Sequence, residues 1–473
     1  MTTESARNLS VQSPELPSVV SDEVHVFPMS IGQRQIWLSE QLVPGTALYS
    51  VPAAIRLSGH LKVTALEQAL QQIVARHESL RTTFTEAGSE LLQVIHPERA
   101  HRLERHELGA LAPSEQEETL ARLSQEEGRQ PFDLVQGPLL RTKLVRLAET
   151  EHVLLLTLHH IIADGWSAGV LIHELRALYG ALVREQPPVL PELSIQYVDY
   201  AAWQQEHLTG DQKDALVSFW KQRLEGSPAV IALPTDRPRP KVRGYQGASQ
   251  PIEFSRSLVE GLRTLAREEN ATLYMALLAA FQVLLSRSTG QADIVVGGSV
   301  ANRNMPGTEG LIGYLANIVP LRVDLSGEPS FREVLRRVRE TALEAYAHQE
   351  LPLGMLIEEL MPERSLGHTP IFQVIFTLTE SFDDQFGMTG LATQVSEIDT
   401  GTAKYDLSLL LAEGRDGGVR GRLEYSTELY DRPKVEGLVR QLKEVLEQGV
   451  ARPGERVGKL ALVRGEERQR LLA

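Results

Sequence analysis

Two adjacent histidines, an aspartate and a glycine share one short stretch, Leu158-His-His-Ile-Ile-Ala-Asp-Gly-Trp-Ser167. These are residue types that could do chemistry. An imidazole changes charge near neutrality and can take, give or hold a proton. The apolar run Val153 to Leu156 precedes the pair, and Val170, Leu171, Leu175, Leu178, Tyr179 and Leu182 follow at helical spacing. The pattern predicts a strand, a loop and an amphipathic helix. Side chains alternate across a strand, so the rings of His159 and His160 should point to opposite sides. One ring then faces a cavity while the other packs inward. Asp164 orders the loop, and Gly165 permits a tight turn or a close backbone approach. This geometry suits a single working imidazole.

Rival chemistries fit less well. A metal held by His159, His160 and Asp164 would need further ligands from elsewhere, and no second histidine-rich cluster is evident, so no metal is expected. Ser167 lacks the Gly-x-Ser-x-Gly elbow of a serine nucleophile and reads better as a helix cap. Gly297-Gly298 lacks the rest of a phosphate loop and reads as a turn. His77 reads as a packed or hydrogen-bonded histidine.

The elements that position this loop alternate between helix and strand. Thr64 and Glu67 form a capping box that opens a helix to about Glu78, and Leu80 to Phe84 follows as a strand. Gln186-Pro-Pro-Val-Leu-Pro191 marks a boundary between halves. Beyond it, Ser257 with Glu260 and Ser330 with Glu333 cap two more helices. Leu273 to Leu285 is apolar on nearly every face and predicts a buried helix. Ile294 to Val296, Phe372 to Leu378 and Tyr405 to Leu411 read as strands. Mixed α/β layers in each half follow.

Composition sets the limits. At 473 residues the chain is too long for one ordinary core. A net charge of −14 and a pI near 5.5 argue against a nucleic-acid partner. With no cysteine there is no disulfide, thiolate nucleophile or cysteine-bound metal. No window is apolar for long enough to span a membrane, and the polar start lacks a signal-peptide core, so a cytoplasmic location is expected.

Seven segments in order resemble the motifs of a condensation domain of a nonribosomal peptide synthetase. They are Ser30-Ile-Gly-Gln33 with Trp37, Arg76 to Phe84, His159 to Ser167, and Tyr197 to Trp203. The remaining three are Ile312 to Asn317 with Arg322, His348 to Pro352, and His368 to Phe372. The resemblance implies an α/β fold of two lobes, each similar to chloramphenicol acetyltransferase, set in a V-shaped pseudo-dimer around a central tunnel. It divides the chain into a flexible leader at 1–24, an N-terminal lobe at 25–186, a C-terminal lobe at 187–459 and the start of a linker at 460–473. Donor and acceptor peptidyl carrier proteins would insert their phosphopantetheine arms and deliver acyl and aminoacyl thioesters, with coenzyme A as a possible donor carrier. A downstream adenylation domain is the implied neighbour.

By the same resemblance His160 is the functional histidine, His159 packs inward, and the Gly165 amide is placed to polarise the donor carbonyl. Asp164 pairs with an arginine of the other lobe. Arg287 and Arg303 flank the Ile294 strand as candidates, with Arg287 preferred. Trp166, Ser167, Asn317 and Tyr405 are the candidates for lining the tunnel. Departures from the family pattern at Glu350, Leu353, Leu315-Ala-Asn-Ile318 and His368-Thr369 bear on substrate preference. Trp166-Ser167-Ala168 after the glycine favours condensation over epimerisation. Met1 and the polar leader make a starter-type domain, acylating a first amino acid, one expectation. Elongation from a peptidyl or polyketide donor is the other, and an inactive carrier-recruiting platform is a remote third.

Overall fold

The computed structural model describes residues 24–98, 100–360, 365–380 and 387–462. Nearly all of the expected leader and the linker from residue 463 onward therefore lie outside the described residues. The strand Glu151–His159 is the centre of the first half and is buried along its length from His152. Val153 and Leu155 pack with Val145, Leu120 and Leu123 on one face. Leu154, Leu156 and Leu158 pack on the other, against the helices Val63–Arg76 and Gly165–Val183. A strand covered on both faces is a continuous apolar run, which is why this segment lacks the alternation of a half-exposed strand.

The first sheet has five strands, in the order Ala392–Glu397, Ser50–Ser58, Glu151–His159, Leu140–Ala148 and Leu103–Glu107. Its outer member comes from the second half of the chain, running antiparallel to Ser50–Ser58. The division at residue 187 is thus crossed by a returning strand. A small sheet of His25–Pro28, Glu90–Ile95 and Thr82–Ala87 stands beside it.

The second sheet has six strands, in the order Asn317–Asp324, Asp293–Val300, Val374–Glu380, Leu407–Glu413, Val419–Ser426 and Gly247–Phe254. The helices Leu273–Thr289, Phe331–Ala347 and Arg432–Ala451 cover it, and their apolar faces form the largest core. Every residue from Leu273 to Leu285 except Tyr274 is buried, as the all-round apolar pattern predicts. Among the described residues no single helix is long and apolar enough to cross a membrane.

Local signals hold in part. Ser330 caps its helix by accepting from the Glu333 amide. The Ser257 cap is displaced to Ser255, which accepts from the Leu258 amide and starts the helix at Arg256. Thr64 lies inside a first turn that begins at Val63. Lys62 is the cap there without a side-chain bond; its carbonyl accepts from the amides of Ala65 and Leu66, and its own N–H donates to the Tyr179 hydroxyl. Glu78–Arg81 is a 3-10 turn, and the strand begins at Thr82. Ser79 Oγ donates to the Ile312 carbonyl and Thr82 Oγ1 to the Glu78 carbonyl, which pulls Leu80 out of the strand.

Candidate active site

The loop after Glu151–His159 separates the two imidazoles as the alternation predicts. The two rings also carry opposite tautomers. His159 is 2% exposed, between Phe132 and Tyr49. Its Nδ1 accepts from the Ile161 amide at 3.2 Å, so the proton sits on Nε2, 3.3 Å from Glu40 Oε1. His160 has its Nδ1 3.0 Å from the Ala163 carbonyl, which only accepts, so here Nδ1 carries the proton. Its Nε2 is left with a lone pair. His160 is half-buried, and its ring meets Tyr314 edge-on at 5.9 Å. Burial, then the charge of Lys404, hold the His160 imidazole well below its ordinary value. It is therefore neutral at pH 7.

Asp164 caps the helix Gly165–Val183 and joins the halves. Its Oδ1 accepts from the Ser167 amide at 2.8 Å, from Ser167 Oγ at 2.7 Å and from Arg303 Nη2 at 3.1 Å. Its Oδ2 accepts from the amides of Leu315 and Ala316, both at 3.0 Å. The pairing arginine is Arg303, whereas Arg287 donates to the carbonyls of Val457 and Leu460 at the end of the second lobe. The preference for Arg287 is corrected. Arg287 lies in the last turn of its helix, facing the C-terminal segment, while Arg303 follows its strand into the loop that packs on Asp164.

Two further expectations change. Ser167 is fully buried; its hydroxyl lies 2.8 Å from the Gly313 carbonyl and accepts from the Gly313 amide and Arg303. It locks the interface and does not line a channel. Asn317 is likewise consumed, its amide donating to the carbonyls of Gln349 and Leu351 and its oxygen accepting from Ile318 and Leu353. Trp166 is 49% exposed, and its indole N–H donates to the Glu309 carbonyl across the junction. Tyr405 keeps accessible surface, and its ring stacks on Phe372 at 5.9 Å. His77 is buried against Glu174 at 2.9 Å, a structural partner as expected.

Residues 311–316 carry a motif to which the sequence assigns no contact. In the structure they form the other wall of the site. Gly313 is needed there because a Cβ would stand 2.0 Å from the Tyr197 ring. Gly165 has open space at the same atom and an ordinary φ, so it answers to no turn requirement. What it leaves is an unobstructed helix N-terminus, where backbone N–H groups favour developing negative charge. We expect Gly313→Ala to cost about 1–3 kcal/mol through overpacking, and Gly165→Ala to leave the unfolding midpoint unchanged. Urea unfolding of the two variants checks the contrast.

Residues 23–472 match the condensation domain family model. Over 455 residues the chain is 47% identical to one of the linear gramicidin synthase proteins of Brevibacillus parabrevis, covering 96% of this chain and 9% of that protein. Chondramide synthase of Chondromyces crocatus is 41% identical over 94% of this chain and 11% of its own length. The chain therefore spans about a tenth of these relatives. The X-domain from teicoplanin biosynthesis has a TM-score of 0.82 at 32% identity, covering 95% of this chain and all of that one, and it is also known in a complex with OxyB. The α/β architecture of this chain is that of chloramphenicol-acetyltransferase-like condensation-domain structures. The chain belongs to the condensation-domain family of nonribosomal peptide synthetases. Condensation domains are acyltransferases that form amide bonds between carrier-borne substrates.

Proposed function

We propose that this chain joins a donor acyl group to the amine of an L-aminoacyl thioester, with His160 as the working imidazole. The observation that carries this reading is the fixed tautomer. Nδ1–H is held by the Ala163 carbonyl, and among the described residues Nε2 has no hydrogen-bond partner and stands beside a wall that both halves build. The two lobes form the V, and the cleft between them is the tunnel that phosphopantetheine arms enter from opposite ends. A carrier protein docks at each mouth.

The acceptor nitrogen donates a hydrogen bond to Nε2 and attacks the donor carbonyl. As the C–N bond forms, the nitrogen becomes acidic and its proton passes to Nε2. The first-turn amide at Gly165 faces the oxyanion. The C–S bond then breaks, the proton goes to the departing thiolate, and the amide product stays on the acceptor arm. Asp164, Arg303 and His159 keep the loop in place.

Donor class separates two readings. Lys404, Arg422 and Glu424 each keep accessible surface, and Glu424 acts electrostatically on both cations. A fatty chain laid against such groups would desolvate them at a cost, which favours a peptidyl or aminoacyl donor and elongation over lipid initiation. A partner-binding platform, as the OxyB complex suggests for the X-domain, would not need a free Nε2. Intact-protein mass spectrometry decides. An acceptor carrier bearing an L-aminoacyl group is offered fatty-acyl and peptidyl donors on carriers or coenzyme A. Product from peptidyl donors alone is expected. Product from fatty-acyl donors would reverse the donor assignment, and no product despite carrier binding would favour the platform.

A further inference from the structure

The condensation step gives no task to Trp203 or to Glu350, and the fold brings the two motifs that carry them to one cleft. The helix Tyr197–His207 presents Tyr200, Trp203 and His207, at intervals of three and four, along one side. Facing them are Asn302 and Met305, from the loop after the strand Asp293–Val300, and Glu350, from the loop after the helix Phe331–Ala347. The cleft is open to solvent and encloses about 270 Å³, room for the end of a side chain or a small molecule. It lies behind the wall 311–316. Leu315 packs against Tyr200 on this side, whereas Tyr314 meets His160 on the other. The cleft is therefore separate from the reaction centre.

Two acceptors in the cleft are left unmet among the described residues. Asn302 is 9% exposed and stands at φ 52°, the left-handed region that asparagine tolerates. Its Nδ2 donates to the Leu315 carbonyl at 3.2 Å and, more weakly, to the Tyr200 hydroxyl at 3.5 Å. A carbonyl only accepts, so the bond to Leu315 fixes which way the amide is turned and leaves Oδ1 without a donor. The second acceptor is the Glu350 carboxylate, 34% exposed, which takes no hydrogen bond. Its nearest basic neighbour is His207 Nε2 at 3.4 Å. Gln212 Nε2 donates to that same nitrogen, and a nitrogen that accepts this N–H has no proton to give Glu350. The imidazole is instead stacked on the Trp203 indole at 4.4 Å. No lysine or arginine lines the cleft, and Arg303, the neighbour of Asn302 in sequence, is spent on Asp164.

We propose that this cleft is a binding site for an organic cation, an alkylguanidinium or alkylammonium group, whose N–H groups go to the Glu350 carboxylate and the Asn302 carbonyl oxygen. A partly desolvated carboxylate without a counter-charge gains most from a charge-assisted hydrogen bond. The faces of Trp203 and Tyr200 favour a cation over an anion, and an alkyl stem can lie along Met305 as long basic side chains do on apolar surface. The same chemistry is offered by an arginine or lysine side chain of another protein segment and by a free amine or guanidine. An occupant would sit one side chain from the catalytic wall, since Asn302 holds the Leu315 carbonyl while the Leu315 amide donates to Asp164. The site stands whether or not this chain forms amide bonds.

The test is ¹⁹F spectroscopy of the whole chain labelled with 5-fluorotryptophan, titrated with n-butylguanidinium, n-butylammonium and, as the uncharged control, n-butanol. The chain has four tryptophans, and the Trp203 signal is identified by its loss in Trp203→Phe. Either cation is expected to move the Trp203 signal saturably and to leave that of the fully buried Trp220 in place. Glu350→Gln should weaken the midpoint by about ten-fold or more, as loss of a hydrogen bond to a charged group does. Asn302→Gly keeps the left-handed backbone and deletes the acceptor, and should weaken it about five-fold. N-acetylarginine methylamide separates the sources: tighter binding than n-butylguanidinium points to a side chain of another protein segment, and equal or weaker binding to a free cation, with the site supported in both. No saturable movement of the Trp203 signal with either cation would overturn the proposal. So would midpoints unchanged in folded Glu350→Gln and Asn302→Gly, or n-butanol binding as well as the cations.

Discussion

His160→Ala is expected to lower single-turnover amide formation by about 10²–10⁴-fold, with the unfolding midpoint and carrier binding kept. Among the described residues the ring's one hydrogen bond is from Nδ1 to the Ala163 carbonyl, beside its edge-on contact with Tyr314, so its removal disturbs the loop little. His160→Gln separates two roles. Proton transfer is most efficient when the base has a value near the working pH. Burial and Lys404 hold this imidazole well below its usual range, so it is a poor base for a resting ammonium and a good acceptor for a neutral amine. An α-amino group has an ordinary value of about 7.7–8.0, so the rate should fall ten-fold per pH unit below that from the amine alone. Protonation of His160 would add a second downward break only below about 6.5. If the glutamine variant keeps a tenth or more of the rate and loses that second break, orientation of the amine is the main contribution. Equal loss in both variants would assign the effect to proton transfer. The measurement is quenched-flow condensation with preloaded carriers from pH 5 to 8.5.

Burial of histidines also sets the sign of the stability profile. His101, His152, His159 and His160 are all held below their ordinary value, chiefly by desolvation. The unfolded chain therefore binds protons near pH 6 that the folded chain refuses. Stability from these groups is fully present above the unfolded value of about 6.5 and is lost as the pH falls from there through the lower folded values.

The local chemistry of the site was legible because it depends on period and chain order. Strand alternation put the two rings on opposite sides and the resemblance assigned His160 to the site, but the cap expected at Ser167 is Asp164, whose Oδ1 accepts from the Ser167 amide and hydroxyl. The contacts that complete the site were not legible, because they are long-range. Nothing in the sequence separates Arg287 from Arg303, since both flank one strand; the choice is made by which helix face packs on the C-terminal segment. Ser167 and Asn317 carry hydroxyl and amide groups that suit a polar channel, yet buried backbone in the facing loops consumes them. Lys404 gave no signal at all. It stands just before the strand Leu407–Glu413, and only the fold brings its ammonium onto the Tyr49 ring, 4.5 Å from the centroid. The strand Ala392–Glu397 is half polar because it is an edge, so its place in the first sheet was equally hidden.

Asp164→Ala should be the most destabilising single change at the site, by about 3–5 kcal/mol. The carboxylate takes five donors: the amides of Ser167, Leu315 and Ala316, the Ser167 hydroxyl and Arg303. The Asp164 side chain is 0% exposed and that of Arg303 is 3% exposed, so water cannot replace what is lost. Arg303 would be left buried, and its Nε already has no partner. The reverse deletion is milder. Arg303→Met leaves the carboxylate its four other donors, and the new side chain fills much of the same volume beside Trp166. Asp164→Asn falls between, because an amide nitrogen must then face either the guanidinium or the Leu315 and Ala316 amides, donor against donor. Urea unfolding followed by tryptophan fluorescence gives the order, with Asp164→Ala lowest, Asp164→Asn next and Arg303→Met nearest wild type. If Arg303→Met matched Asp164→Ala, the ion pair itself would hold the halves together. The predicted order instead places that work on the backbone amides of residues 315 and 316, and makes the arginine a neutralising partner. Loss of condensation should follow the same order, since the wall 311–316 carries Tyr314 against His160.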